Sequence, residues 1–207
     1  MSTEHEAASR VPVLPHQPIL SFKPLVLPSA RRLVPLQVRV TVPVTGRDLP
    51  ALLLSHGHGN SHVLSSLNGD APLADRSEMS PKDDRIAAGV LLAAPGQGRD
   101  LAPTAAERYP VLHHTTFKTM AAPALVVVGD RDVDPAFSTR PDWRADAHLH
   151  SPGTTCLLTL HSAEHGLGGV AGYDAAETTD EHPGRVALLQ RLTWAYLRTA
   201  LEPTDSA

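Results

Sequence analysis

Four short stretches of this chain are apolar or nearly so, and two others alternate apolar with polar residues. Ala51 to Leu54, Gly89 to Ala94, Ala124 to Val128 and Cys156 to Leu160 lack a polar face. Such runs suit strands buried on both sides, as in a parallel sheet. By contrast, Leu36 to Val42 sets Leu36, Val38, Val40 and Val42 against Gln37, Arg39 and Thr41, and Ile19 to Leu27 is of the same kind. These two predict an antiparallel pair with one solvated face, separated by Pro28 to Pro35 and followed by a turn at Gly46, Arg47 and Asp48. From Pro183 to Leu201, the positions of Val186, Leu189, Leu192, Trp194, Tyr196 and Leu197 predict a long amphipathic helix that covers one sheet face. The pattern as a whole reads as α/β: a mostly parallel sheet with an N-terminal antiparallel strand pair and a C-terminal covering helix.

Between these elements the signals are weaker. Met1 to Gln17 is polar, with Pro12, Pro15 and nearby Pro18, so residues 1–18 read as a loose arm. Residues 19–202 read as one domain, the default for a chain of 207 residues, and 203–207 as a tail. Ser61 to Ala74 has faint helical spacing through Val63, Leu64, Leu67 and Leu73, broken by Gly69 and Pro72. Asp75 to Arg85 is almost wholly charged or polar and reads as a solvated connector. Between Asp100 and Thr119, Pro103 and Pro110 preclude any long helix.

Composition narrows the function classes. With 42% hydrophobic residues, 19% charged residues and a formal net charge of -4, the chain reads as globular and lacks the basic footprint of a nucleic-acid binder. No apolar run approaches the roughly 20 residues of a membrane helix, and Met1 to Arg10 carries Glu4 and Glu6 with no apolar signal core, so a cytoplasmic protein is expected. Cys156 is the single cysteine, which rules out an internal disulfide; its strand-like setting favours a buried structural thiol over a nucleophile. Among the 12 histidines only His56 with His58 and His148 with His150 stand two positions apart. Alternate residues of an extended segment share a face and could bind a metal, but neither pair has a third ligand that the sequence places, so no metal and no cofactor are expected.

Chemistry concentrates where the apolar runs stop. The first leads into Ser55-His56-Gly57-His58-Gly59, whose glycines let the backbone approach a ligand and aim N–H groups at developing negative charge. Ala124 to Val128 leads into Gly129-Asp130-Arg131-Asp132-Val133-Asp134-Pro135, crowding three aspartates at one strand end. For any single one of them, capping a turn is the ordinary role. The last run leads into His161-Ser162-Ala163-Glu164-His165-Gly166-Leu167-Gly168-Gly169, and a histidine before a glycine-rich loop at a late strand end suits acid–base work.

That order of motifs resembles the α/β-hydrolase fold, and most closely its esterase branch of dienelactone hydrolases, chlorophyllases and platelet-activating-factor acetylhydrolases. The resemblance implies that the His58 backbone N–H, between Gly57 and Gly59, contributes to an oxyanion hole. It puts the triad acid on Asp132, with Asp130 and Asp134 as alternatives, and the general base on His165. Asp132 and His165 should then lie within about 6 Å at the ends of adjacent strands. The implied reaction is hydrolysis of a small-molecule carboxylic ester without a cofactor.

One part of the family pattern is missing. No Gly-x-Ser-x-Gly nucleophile elbow occurs anywhere in the 207 residues. Its place would be between Ser55 and Gly89, where residues 56–88 number 33, whereas one strand–helix–strand unit takes about 30 or more. The chain therefore reads as a truncated hydrolase with an internal deletion near 74–75, where weakly apolar sequence becomes strongly charged. Ala51 to Leu54 and Gly89 to Ala94 would then pair side by side. Ser61, Ser65 and Ser66 are the conceivable substitute nucleophiles. Three readings follow: a serine ester hydrolase, a non-catalytic pseudoenzyme or deletion fragment that keeps a binding cleft, and a metal hydrolase using His56, His58 and His165.

Overall fold

The computed structural model describes residues 10–11, 15, 17–27, 36–52, 86–170 and 179–202. The chain divides into two compact units, Val13–Leu53 and a unit comprising Met1–Pro12 with Leu54–Ala207. In the smaller unit, strands β1 (Ile19–Leu27) and β2 (Leu36–Pro43) form an antiparallel pair. The register passes from Phe22↔Val40 to Leu25↔Val38, so two residues of β1 face one of β2. Pro24 lies in this bulge, where its lack of an N–H costs no ladder bond. Ser21 and Thr41 are register partners and their hydroxyls are 3.1 Å apart.

The expectation of one solvated face is corrected here. Ile19 and Leu20 point to opposite faces yet are 62% and 51% exposed, and Phe22, Leu25, Val26 and Val42 are exposed as well. Alternation marks which residues share a face, but burial needs a second layer, and a two-stranded ribbon has none of its own. The run Ala51 to Leu54 fares similarly: Ala51 and Leu52 belong to no strand and are exposed, while Leu53 and Leu54 lie outside the described residues.

The larger unit is built on a three-stranded parallel sheet in the order β3 (Gly89–Leu92), β4 (Ala124–Gly129), β5 (Thr155–Leu160). Among the described residues β3 pairs with β4 alone, so the expected pairing with Ala51 to Leu54 is not found there. β4 is central and buried along its whole length. Ala124, Val126 and Val128 pack on one face with Leu91, Phe117, Met120, Ala145 and Ala147. Leu125 and Val127 pack on the other with Leu160, Ala163, Leu167, Leu188 and Leu189. Two covered faces explain why this strand is apolar without alternation.

The two flanking strands depart from the sequence reading. β3 stops at Leu92 because Ala93 takes a positive φ of 45°, turning the chain into the Pro95–Gly98 loop. Among the described residues β5 is an edge, and it is not uniformly buried: Leu157 is 40% exposed and only Leu160 is fully covered. Cys156, expected as a buried thiol, is likewise exposed. Apolarity alone does not distinguish a central strand from an edge strand.

Three α-helices lie among the described residues of this unit. Helix α1 (Pro103–Arg108) is confined to six residues between Pro103 at its first turn and Pro110 beyond its end. Helix α2 (Asp146–His150) follows a 3-10 turn at Trp143–Ala145; neither was legible in the sequence. Helix α3 (Pro183–Leu201) starts at an N-cap, His182, whose ring accepts the Arg185 N–H, with Pro183 at the first helical position. It turns Leu188, Leu189, Leu192 and Tyr196 to the sheet. The sheet-facing row thus includes Leu188 and omits Val186, Trp194 and Leu197, unlike the expected face. The mixed α/β content, with parallel sheet, antiparallel pair and C-terminal helix, agrees with the expected class. Among the described residues no helix is long and apolar enough to cross a membrane.

The loop after β3 is pinned by a buried carboxylate. Asp146, with no exposed surface, accepts the Gln97 N–H at 2.8 Å and pairs with Arg140 at 2.7 Å, while the Trp143 indole N–H donates to the Gln97 carbonyl. Gly96 has to be glycine, since a Cβ there would meet the Trp143 carbonyl oxygen at 2.1 Å. Because Met120 is fully buried in the sheet's first layer whereas Leu157 is partly open, Met120→Ala should destabilise by about 2–5 kcal/mol and Leu157→Ala by about 1 kcal/mol or less in urea unfolding.

Candidate functional site

Adjacent parallel strands bring their following loops to one edge of a sheet, and here the two loops are bonded together. The Asp130 N–H donates to the Leu160 carbonyl and the Arg131 N–H to the Ala163 carbonyl. Such close approach depends on Gly129, where a Cβ would stand 2.1 Å from the Ala163 carbonyl oxygen.

At this junction His165 Nδ1 lies 3.1 Å from Asp132 Oδ2. The Asp132 side chain is only 2% exposed, whereas the imidazole is 61% exposed. A buried carboxylate thus grips one nitrogen of a ring that otherwise faces solvent. With Nδ1 committed to Asp132, Nε2 is the nitrogen left to exchange a proton. The other two aspartates have different partners. Asp130 Oδ2 meets His161 Nδ1 at 2.8 Å in an exposed pair, and Asp134 Oδ1 caps its own turn by accepting the Ala136 N–H at 2.9 Å.

Two arginines that the sequence reading overlooked complete the surroundings. Arg144, just before α2, places Nε 3.2 Å from the same Asp132 Oδ2 that faces His165. Its Nη1 donates to the Ala93 carbonyl at the end of β3, and its guanidinium lies 4.9 Å from the Trp143 ring centre. Burial pulls the pKa of Arg144 below the usual arginine value, against the raising effect of Asp132 and Asp134.

Arg185 lies in the first turn of α3 and pairs with buried Asp180 at 3.0 Å. Asp180 Oδ2 also accepts the N–H groups of Glu164 and Gly168, at 2.8 and 3.1 Å, so it brackets the His165 loop from both sides. Arg185 Nη2 donates to the His161 carbonyl. The bracketed loop needs such support, because Ser162 and Leu167 hold left-handed backbone angles of 55° and 50° without being glycine. Nothing in the local sequence marks Arg144, Asp180 or Arg185, since each acts on residues far along the chain.

Gly57, His58 and Gly59 of the expected oxyanion loop, with Ser55, His56, Ser61, Ser65, Ser66 and the 74–75 junction, lie outside the described residues. Among the described residues no group of three or more His, Cys, Asp or Glu side chains is arranged to hold a metal ion. His148 and His150 do not form the extended pair that their spacing suggested. They lie in α2, where residues two apart face different ways; His148 Nδ1 meets the Thr155 hydroxyl at 2.9 Å, and His150 is 3.5 Å from Asp146. Comparison with protein-family models, curated proteins and solved structures finds no match to this chain.

Replacing Asp180 with alanine would leave Arg185 as a buried charge without its carboxylate and two loop N–H groups without their acceptor. The expected cost is about 3–5 kcal/mol in chemical denaturation. Glu164 and Gly168 amides should also exchange with solvent markedly faster than those of β4.

Proposed function

We propose that this chain is an α/β-hydrolase-type protein related to serine carboxylic-ester hydrolases, with an acid–base pair formed by Asp132 and His165. The observation that carries this reading is the contact between the buried Asp132 carboxylate and the exposed His165 ring, 3.1 Å apart at the ends of neighbouring parallel strands. In the proposed chemistry a hydroxyl attacks the acyl carbon of an ester while His165 takes its proton and later returns it to the leaving group. Asp132 holds the ring by Nδ1 and stabilises the imidazolium that forms. The expected oxyanion donor is the N–H of His58, between Gly57 and Gly59.

A second reading, a non-catalytic pseudoenzyme that keeps a binding cleft, draws on a specific observation: the sequence has no Gly-x-Ser-x-Gly. The two readings differ in one atom, the nucleophilic oxygen. Without it a triad retains only about 10³- to 10⁴-fold catalysis over water, supplied by the oxyanion hole and binding. The elbow also supplies the second oxyanion N–H, so the remainder should be smaller still.

Fluorophosphonate labelling and hydrolysis of p-nitrophenyl acetate or butyrate separate the readings. We expect no covalent adduct and little or no turnover, in keeping with an assembled acid–base pair that lacks its nucleophile. Stoichiometric labelling of Ser61, Ser65 or Ser66 that disappears in His165→Ala would establish instead an active hydrolase with a recruited serine.

A further inference from the structure

Asp132 is nearly inaccessible to water, and a buried carboxylate stays ionised only beside a compensating charge. His165 is an exposed ring that carries charge only when protonated, so it does not supply that charge in its neutral form. Arg144 does: guanidinium is charged throughout the physiological range, and its Nε is 3.2 Å from Asp132 Oδ2. That oxygen is the one that faces His165 Nδ1. The guanidinium is itself immobilised, bonded through Nη1 to the Ala93 carbonyl and lying over Trp143 and Phe137 at 4.9 and 5.9 Å from the ring centres.

We infer that Arg144 is a positioning residue for His165: it fixes the ionised Asp132 carboxylate against Nδ1 and, by sharing the same oxygen, weakens that carboxylate's pull on a proton at the ring. The second effect follows from electrostatics. A permanent cation on the shared oxygen repels an imidazolium and offsets the carboxylate's attraction for it. The neutral ring is the form that can accept a proton, as a general base must. Other charges around the pair differ in role: Asp134 acts on Arg144 through space, Asp130 is engaged with His161, and Glu164 accepts a hydrogen bond from Thr179. Arg131, between the two aspartates, is exposed.

The catalytic meaning of this inference rests on the proposed role of His165 as a base, but its electrostatic content is testable in the absence of turnover. In NMR titration of the full chain, the Arg144 Nε–H resonance should shift with the same pH midpoint as the His165 Cε1–H resonance. Arg144→Gln should raise the His165 midpoint by about one pH unit, the scale of losing a full charge from a partly screened neighbour. Proton uptake by Asp132 in its place would instead lower the His165 midpoint and overturn the second effect. Arg144→Lys, which keeps the charge, should leave the midpoint within about half a unit of the unmutated value. An Arg144 resonance indifferent to the His165 titration, or equal shifts in the Gln and Lys variants, would overturn the inference. If the Gln variant fails to fold, the unmutated protein decides through its Arg144 resonance. Absence of fluorophosphonate labelling bears on the hydrolase reading and leaves this titration unaffected.

Discussion

Burial of the Asp132 carboxylate is the constraint around which the larger unit is arranged. An ionised group removed from water needs a charged partner and directed hydrogen bonds, and meeting that need fastens distant parts of the chain together. Arg144 comes from the turn before α2, His165 from the loop after β5, and the carbonyl that holds Arg144 from Ala93 at the end of β3. Three strand ends are thereby referred to one carboxylate. The positive backbone angle at Ala93 belongs to the same arrangement, since it ends β3 at the residue whose carbonyl Arg144 engages.

Two further buried carboxylates repeat the device at either side. Asp146 ties the loop after β3 to Arg140, and Asp180 ties the loop after β5 to Arg185 at the start of α3. Asp146 accepts one main-chain N–H and Asp180 two, each in addition to a guanidinium. Ion pairs of this kind contribute little net stability compared with apolar replacements, but they define geometry, because removal of either partner strands a charge. The apolar layers around β4 supply the driving force for folding, and the carboxylates set where the loops rest.

The twin Asp–His pairs show how finely the sheet edge sorts similar residues. Asp130 and Asp132 are two positions apart, yet one side chain is partly open and meets an exposed histidine while the other is sealed against Arg144. Only the sealed carboxylate combines a fixed orientation with an accessible ring, the combination acid–base chemistry requires. A solvent-facing pair such as Asp130 and His161 is screened and contributes correspondingly little.

Local patterning was enough to find β1, β4 and α3, to bring β2 and β3 within one or two residues at each end, and to single out the two loops that carry Asp132 and His165. These features depend on residues adjacent in the chain: apolar continuity, alternation, a proline at a helix start, glycines after a strand. The family pattern already ranked Asp132 ahead of Asp130 and Asp134 as the partner of His165, but only the tertiary structure showed that contact, that Arg144 shares its oxygen, and that Asp180 with Arg185 braces the loop. It alone also placed β5 last in the described sheet with Cys156 exposed, and showed Ile19 and Leu20 of the antiparallel pair both exposed. The physical reason is the same throughout: the partners lie far apart in sequence, 33 positions in the case of Asp132 and His165, and a residue's burial is set by what other elements bring against it.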